Sequence, residues 1–248
     1  MANYDYKAGK KRVKEILDNN LEIIEQDKLP SIDELTFDNG YKSWVGAIFV
    51  DIRNSTSLFT EEDKEKVSKI IRSFTSEIIE ILRDDDNLRE IGIRGDCVYA
   101  IYTAPLQTDT YECVDKAIYV NTYLEMLNKL LADKKYPTIT AGIGIGLAIE
   151  LIVKAGRKGV GINNAVWIGD AVTGASNLSA IGNKDGHAPI VFSELAYSNT
   201  IERLRETNSG KDVDSWFTKC SDDKLGTYYC ANIVKSVFND WIESGMKD

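Results

Sequence analysis

The sequence predicts an α+β fold of the ferredoxin-like βαββαβ type, an antiparallel sheet with helices on one face. Between residues 44 and 149, stretches with strand periodicity and stretches with helical periodicity alternate in the order β-α-β-β-α-β. The dipeptide Gly95-Asp96 separates the two middle strands and is typical of a hairpin turn. The face of such a sheet that carries no helices is left open to a partner or a ligand.

The first part of the chain is predicted to form a helix, a strand and a second helix. Residues 8–26 carry apolar side chains at helical spacing, and a loop with Asn39-Gly40 follows. Residues 44–52 are rich in strand-forming side chains. Thr60 is the predicted cap of the second helix, because the acidic residues that follow it favour the positive end of a helix dipole.

The rest of the chain alternates between strands and helices and ends in a mixed tail. The predicted strands are residues 88–94, 97–103, 138–149 and 164–168, and the predicted helices are residues 60–82, 110–132 and 170–181. The tail from Ala188 adds two or three strands and short helices. We expect residues 1–40 to be an N-terminal helical extension and residues 41–248 to be one large domain.

Composition and charge exclude several classes of protein. The net charge of −9 argues against a nucleic-acid partner, which would require a basic face. Residues 141–153 are the most apolar window but contain Glu150 and are too short to span a membrane. The N-terminus lacks the apolar stretch of a signal peptide, and the four cysteines form no C-x-x-C pair. We therefore expect a cytoplasmic protein with reduced thiols and no membrane partner.

Two carboxylates are candidate metal ligands. Asp51 directly follows the apolar strand Ala47-Ile48-Phe49-Val50, and Asp96 lies at the tip of the hairpin. In a βαββαβ sheet the first strand neighbours this hairpin, so both carboxylates can lie at one end of the sheet and hold one or two hard cations. The alternative is that each carboxylate only caps a turn.

The turn after Asp51 is a candidate phosphate site. Asn54, Ser55 and Thr56 are small polar residues between a strand and a helix. Successive backbone N–H groups in such a turn can bind an anion, and a metal beside them would complete a triphosphate site.

Other motifs receive a structural interpretation. The glycines of "AGIGIG" alternate within a strand, so Gly142, Gly144 and Gly146 share a face and permit close approach of another backbone. They lack the spacing of a dinucleotide-binding motif. His187, the single histidine, lies in a predicted loop, and no serine or cysteine triad can be defined around it.

Four segments, in this order, resemble the class III nucleotide cyclases: "FVDIRNST", "IGIRGDCVYAIY", "GIGIGLAIE" and "VWIGDAVTGAS". The resemblance covers roughly residues 44 to 182. The N-terminal helix followed by "DNGYKSWVGAIFVDIRNST" and the C-terminal "FNDWI" are more specifically similar to the bacterial pyrimidine cyclases of Pycsar anti-phage defence. Those enzymes make cyclic UMP or cyclic CMP as an alarm signal for a separate effector protein.

The resemblance implies a site and a reaction. Two Mn²⁺ or Mg²⁺ ions would be held by Asp51, the backbone carbonyl of Ile52 and Asp96, and the phosphates by residues Arg53, Asn54, Ser55 and Thr56. The 3′-hydroxyl of a nucleoside triphosphate would attack the α-phosphorus and release pyrophosphate. Members of the family form head-to-tail dimers, so a homodimer with active sites shared between two chains is implied.

Departures from the family point to a pyrimidine substrate. Adenylate and guanylate cyclases read the base with side chains at the positions of Gly92 and Val166, neither of which can hydrogen-bond a purine here. Ile168 belongs to the same base-binding segment. Arg94 is predicted to share a face with Gly92 and Asp96, and its donors suit the acceptor oxygens of uracil or cytosine. The alternative for Arg94 is an ion pair with an acidic neighbour such as Glu90.

The helix after "WIGD" raises a question about catalysis. Many relatives place an Asn and an Arg where this chain has Thr173 and Asn177. Losing a transition-state donor costs on the order of 100-fold in rate. Either another cation such as Lys224 or Arg157 substitutes, or the enzyme is slow, or the chain is a catalytically inactive nucleotide-binding module. An adenylate or guanylate cyclase with an unusual pocket is a further alternative.

Overall fold

The computed structural model describes residues 4–247, which include all but the first three residues of the predicted extension and all but Asp248 of the predicted catalytic domain. The helices are α1 (Tyr6–Leu17), α2 (Ser55–Glu61), α3 (Lys64–Arg83), α4 (Gln107–Asp133), α5 (Asp170–Ser179), α6 (Glu194–Thr207) and α7 (Ser236–Glu243). The strands are β1 (Glu22–Glu25), β2 (Asn39–Ile52), β3 (Leu88–Arg94), β4 (Cys97–Thr103), β5 (Ala141–Arg157), β6 (Ile162–Ile168), β7 (Ile190–Ser193), β8 (Phe217–Asp222) and β9 (Gly226–Ala231). The division into an extension and a catalytic domain stays a prediction.

The predicted βαββαβ core is confirmed. One sheet has the strand order β3-β4-β2-β5-β7-β9-β8, with β1 beside β2 and β6 beside β5. Each neighbouring pair among the core strands β3, β4, β2 and β5 is antiparallel, and β2 lies between β4 and β5. The hairpin strands begin and end at the predicted residues, because a two-residue turn fixes both strand ends.

The N-terminal helix is shorter than predicted. It ends at Leu17 instead of continuing to residue 26, and Glu22–Glu25 forms a strand parallel to β2. The polar residues Asp18, Asn19 and Asn20 interrupt the helix, and Asp18 closes its last turn. Ile23 and Ile24 are β-branched and suit pairing with the edge of the long strand.

The predicted cap of the second helix is also wrong. Residues Ser55–Glu61 form the separate short helix α2, and α3 begins only after Asp63. The Asp63 carboxylate accepts hydrogen bonds from the backbone N–H groups of Glu65 and Lys66, at 3.0 and 3.1 Å. The Thr60 hydroxyl instead donates to the carbonyl of Thr56, within α2. Asp63 is the stronger cap because its carboxylate also favours the positive end of the helix dipole.

Helices lie on both faces of the sheet, so the expectation of one helix-free face is wrong along β5. Helices α3 and α4 pack on the face that carries Ile48, Val50 and Ile143. Helix α5 packs on the opposite face, over the predicted glycine row. A Cβ atom added at Gly144 would lie 2.0 Å from the carbonyl oxygen of Ala175, so the glycines permit the close helix–strand approach predicted for them.

Strand β5 extends well beyond the predicted Ile149 and forms an arm with β6. Residues 190–243 add β7, β8 and β9 on the edge of β5 that faces away from β2, which is also the edge that pairs with β6, together with α6 and α7. Across residues 4–247, no helix combines the length and the apolar character needed to cross a membrane.

Candidate active site

Asp51 lies at the end of the central strand. Strand β2 is an almost continuous apolar run there because both of its faces are buried, by α3 and α4 on one side and α5 on the other. Asp51 pairs with Cys97 of β4 and with Gly142 of β5. Its side chain is half-buried on the α5 face, at the same end of the sheet as the tip of the β3–β4 hairpin.

The second carboxylate, Asp96, lies in that hairpin turn and acts on Asp51 electrostatically. Gly95 has a φ of +67°, which glycine adopts without strain. This conformation allows the two-residue turn in which Asp96 lies. Burial raises the pKa of Asp51 above its ordinary value, Arg53 opposes this, and the nearby charge of Asp96 raises the pKa further. The structure therefore brings the two predicted carboxylates together at one end of the sheet.

Arg53 is the cation of this site. Its guanidinium donates to a carboxylate oxygen of Asp51 at 2.5 Å and to the main-chain carbonyl of Asp51 at 3.0 Å. It also donates to the carbonyl oxygen of Ala180 at 2.7 Å, at the end of α5. Arg53 thus joins the end of β2 to the helix that carries Thr173 and Asn177, and it neutralises a charge that a metal ion could neutralise instead.

The donor set fits hard divalent cations. Asp51 and Asp96 provide carboxylate oxygens, and Ile52, whose side chain is buried in the core, can contribute only its backbone. Burial is the largest cause of the raised pKa of Asp51, and the smaller repulsion from Asp96 is a contribution that a bound cation relieves. Burial raises the pKa of the neighbouring Cys97 thiol to about 12.

The turn after Asp51 has the form predicted for it. Asn54 adopts a left-handed conformation with a φ of +53°, and α2 begins at Ser55. The first N–H groups of a helix have no partner within that helix, so Ser55 and Thr56 present backbone donors. That these donors bind phosphate stays a prediction.

A hydrogen-bonded cluster fills the space beside Gly92. The Tyr99 hydroxyl donates to one carboxylate oxygen of Glu90, and the Trp167 indole donates to the other, both at 2.7 Å. A Cβ atom added at Gly92 would lie 2.7 Å from the Tyr99 hydroxyl. The ring of Tyr99 also stacks on Phe49, with centroids 5.2 Å apart. Tyr99 therefore occupies the volume that a side chain at position 92 would need.

Arg94 projects from the same face without an ionic partner. It pairs with Cys97, which pairs with Asp51, so these three residues form one row across the sheet. Glu90 accepts hydrogen bonds from Tyr99 and Trp167, and it forms no ion pair with Arg94, so the structure does not contain the alternative Arg94–Glu90 pair. Arg94 is exposed, and none of the ion pairs among the described side chains involves it.

A buried carboxylate fixes the start of α5. Glu150 is fully buried, and its Oε1 accepts a hydrogen bond of 3.0 Å from the backbone N–H of Val172. Its Oε2 has no hydrogen-bond partner among the described residues. Burial raises the pKa of Glu150, although the backbone N–H groups of Val172 and Ala171 oppose the shift. Glu150 thus holds the helix on which Thr173 is exposed and Asn177 is half-buried.

Val166 and Ile168 are not brought to Asp51 of the same chain. Ile168 pairs with Leu151 of β5, whereas Asp51 pairs with Gly142. Leu151 and Gly142 are nine residues apart along β5, and no described hydrogen bond or strand pairing joins Val166 or Ile168 to the row of Asp51. Both side chains are exposed, at 41% and 51%. Of the candidate substitute cations, Arg157 ends β5 and Lys224 lies in the β8–β9 turn.

Sequence reasoning missed Tyr99 and Trp167 as members of this site. The hairpin contained the signal for Tyr99, because a two-residue turn at Gly95-Asp96 pairs Arg94 with Cys97 and therefore Gly92 with Tyr99. Nothing comparable pointed to Trp167, whose contact with Glu90 joins residues 77 positions apart.

Comparisons with known proteins identify the class of protein to which this fold belongs. Residues 38–205 match the adenylate and guanylate cyclase catalytic domain family. The chain belongs to this family, the class III nucleotide cyclases, as the four sequence segments predicted.

Two curated relatives extend the comparison to nearly the whole chain. A protein of Treponema porcinum named "Uridylate cyclase" is 54% identical over 99% of this chain and 83% of its own length. A second "Uridylate cyclase", from Gulbenkiania mobilis, is 29% identical over 97% of this chain and 96% of its own. The crystal structure of the guanylyl cyclase Cya2 has a TM-score of 0.63 at 15% identity, covering 81% of this chain and 97% of that one, and so supports the fold.

Proposed function

We propose that this chain is a uridylate cyclase, which converts UTP to cyclic UMP and pyrophosphate. Both curated relatives carry that name, and one is identical at more than half of the aligned positions. The observation that carries the proposal is the Tyr99 cluster beside Gly92. A purine-reading side chain at position 92 would have to displace Tyr99, because its Cβ would lie 2.7 Å from the Tyr99 hydroxyl.

Arg94 supplies the donors for a pyrimidine. It is exposed on the face of Asp51 and Gly92, and Glu90, its nearest alternative partner by sequence, is already bound by Tyr99 and Trp167. A guanidinium can only donate, and uracil presents the acceptors O2 and O4. Cytosine presents O2 and N3 as acceptors, so CTP is the competing substrate that the experiment must test.

The residues at the end of β2 bind the triphosphate. Asp51, Asp96 and the carbonyl of Ile52 would hold Mg²⁺ or Mn²⁺, which when bound lower the pKa of the 3′-hydroxyl and neutralise the triphosphate. Arg53 and the backbone N–H groups of residues 54–56 hold the outer phosphates, so that the α-phosphorus faces the 3′-hydroxyl.

Helix α5 positions the ribose. The exposed hydroxyl of Thr173 hydrogen-bonds a ribose oxygen, and Asn177 donates to the transition state without a formal charge. A neutral donor stabilises a developing negative charge less than a cation does, so we expect a turnover below that of relatives with arginine at this position.

A homodimer completes the site. Val166 and Ile168 pair with β5 at Val153 and Leu151, nine or more residues along that strand from Gly142, the partner of Asp51. A second chain placed head to tail brings its own Val166, Ile168 and Arg94 to that nucleotide. The exposed apolar side chains of β6 then become buried in the dimer.

The product is proposed to be a second messenger. Cyclic UMP released in the cytoplasm would activate a separate effector protein during phage infection, as the resemblance to the Pycsar cyclases implies. The cyclase itself needs neither nucleic acid nor membrane for this role.

The proposal is tested by incubating the purified protein separately with UTP, CTP, ATP and GTP, first with Mn²⁺ and then with Mg²⁺. Mass spectrometry then identifies the products. We expect cyclic UMP from UTP, and loss of at least about 100-fold in rate for Asp51→Asn and Asp96→Asn. The exposed Asp133→Asn, at the end of α4, is the matched control and keeps wild-type activity.

A cyclic purine nucleotide as the main product would contradict the reading of Gly92 and Tyr99. If a nucleotide raises the melting temperature of the protein but no cyclic product forms, the chain is instead a catalytically inactive nucleotide-binding module. The presence of Thr173 and Asn177 at the family's Asn and Arg positions is the reason for considering this alternative.

A further inference from the structure

Three side chains with soft or borderline metal-ligating atoms meet outside the carboxylate site. His187 lies in the loop between α5 and β7, Cys220 in β8 and Cys230 in β9. One ligand atom of each lies within 4.8 Å of the other two. Cys220 pairs with Tyr228, and Cys230 follows two residues later on the same strand, so both thiols share one face of the hairpin. The fold, not the local sequence, brings them together.

The imidazole of His187 is oriented for a ligand. Its Nδ1 lies 2.9 Å from the carbonyl oxygen of Lys184, which can only accept, so Nδ1 carries the proton. In the neutral ring Nε2 therefore keeps its lone pair, and it faces the Tyr228 hydroxyl at 3.2 Å. Metal-binding histidines commonly donate the N–H of the ring nitrogen that does not bind the metal to a backbone carbonyl, which fixes the orientation of the ring.

The loop that carries His187 is itself held in place. Asn183 adopts a φ of +53°, and its side-chain amide donates to the carbonyl of Ala141 at 2.8 Å. The backbone N–H of His187 donates to the same Lys184 carbonyl at 2.9 Å. The imidazole is thus presented from a fixed turn, which favours binding because little conformational freedom remains to be lost.

We propose that His187, Cys220 and Cys230 form a Zn²⁺ site, with Nε2 and the two sulfur atoms as ligands. A tetrahedral zinc ion separates such ligands by about 3.5 to 3.8 Å, so side-chain movements on the order of 1 Å complete the site. Binding releases the two thiol protons to solvent, and the fourth position is left to water. Cys230 is buried, whereas His187 and Cys220 are half-exposed, which leaves a route for the ion.

This site differs in chemistry from the carboxylate site. Thiolate and imidazole ligands select zinc over Mg²⁺, whereas Asp51 and Asp96 offer only oxygen. The cluster packs with Leu178 of α5 and Val191 of β7 in one small core. A bound ion would therefore fasten the β8–β9 hairpin to the loop that leaves α5, and its effect is on stability and not on the chemical step.

The test uses Co²⁺ as a spectroscopic probe of the full-length protein, reduced and freed of metal with a chelator. We expect one equivalent of Co²⁺ to produce thiolate-to-metal charge-transfer absorption and tetrahedral ligand-field bands, which Zn²⁺ then abolishes. Oxygen ligands such as Asp51 and Asp96 cannot give the charge-transfer band. Cys220→Ser, Cys230→Ser and His187→Ala each lower the Co²⁺ affinity at least about 100-fold. Cys113→Ala, which removes a buried thiol of α4, keeps the bands.

A second measurement on the wild type guards against variants that do not fold. Zn²⁺ alone should raise the melting temperature of the wild-type and Cys113→Ala proteins, and should leave that of Cys220→Ser unchanged. Reduced wild-type protein without a charge-transfer band would overturn the proposal. So would bands that persist in both cysteine variants, or a Cys220–Cys230 disulfide, detected by intact mass, in protein purified without oxidant.

Discussion

Arg53 donates a hydrogen bond of 2.5 Å to the carboxylate of Asp51, in the turn where the central strand of the sheet ends. The same guanidinium reaches the carbonyl of Ala180 beyond α5. One side chain thus neutralises the carboxylate that would bind metal and connects it to the helix that would bind ribose. When a nucleotide and its metal ions enter, this guanidinium is the group placed to move from carboxylate to phosphate.

Arg53→Gln should lower kcat/KM for UTP by about 10- to 100-fold, because a charge-assisted hydrogen bond to phosphate is worth about 1.5–3 kcal/mol. The exposed Arg72→Gln of α3 is the matched control, since it removes the same charge far from β2. Steady-state kinetics with saturating Mg²⁺ measures the ratio. Equal kcat/KM values for the two variants would exclude a phosphate contact of Arg53.

Glu150→Gln should make stability less dependent on pH. A carboxyl whose pKa is higher in the folded than in the unfolded protein stabilises the fold below its unfolded pKa, and this contribution is lost as pH rises through the folded pKa. Burial raises the pKa of Glu150, so wild type should lose stability relative to Glu150→Gln over a pH range that begins at about 4 and extends upward through the folded pKa.

Urea unfolding across that range measures the difference between the two free energies of unfolding. The exposed Glu125→Gln of α4 is the control, because it removes the same charge from the surface. A difference between Glu150→Gln and wild type that does not change with pH would show that the buried carboxyl does not titrate differently in the two states.

Gly144→Ala should destabilise the fold by about 1–3 kcal/mol or more, because the added Cβ would lie 2.0 Å from the backbone of α5. Gly174→Ala is the matched control on the helix itself, where a Cβ meets nothing within 4 Å. That change should be neutral or stabilising by up to about 1 kcal/mol. Equal free energies of unfolding for both variants would contradict the close packing of α5 on β5.

Mixing two inactive variants should restore activity if the site is shared. Asp51→Asn removes a metal ligand, and Arg94→Glu places a carboxylate against the acceptor oxygens of the base. In a randomly mixed dimer population half of the dimers are mixed, each with one intact site, so about a quarter of wild-type activity is expected. Activity of the mixture no greater than that of the separate variants would contradict a shared site.

The sequence predicted the parts of this fold that depend on local signals. The ends of both hairpin strands are predicted to the exact residue because Gly95-Asp96 marks the turn between them. Asp51 is predicted as a site residue because a carboxylate directly after a buried apolar strand is unusual. Strand β1 was missed because Leu21 and Ile24 continue the helical spacing of the apolar residues before them, and only the edge of β2 makes the segment a strand.

The sequence predicted the site residues that the βαββαβ topology makes neighbours. It did not predict the residues that only tertiary contacts bring together. Asp51, Arg53 and Asp96 meet as the topology requires, and α5 lies on the glycine row. The bond between Trp167 and Glu90, and the cluster of His187 with Cys220 and Cys230, join segments far apart in the chain. No spacing within one segment encodes these contacts.

The most direct test of the central claim is competition. The purified protein is given an equimolar mixture of UTP, CTP, ATP and GTP with Mn²⁺, and the cyclic products are quantified by mass spectrometry, so that their ratio reports relative kcat/KM. The proposed function predicts cyclic UMP as the main product, and it predicts that the product ratio shifts away from cyclic UMP in Arg94→Ala. Cyclic AMP or cyclic GMP as the main product would contradict the assignment of Gly92, Tyr99 and Arg94 to pyrimidine selection.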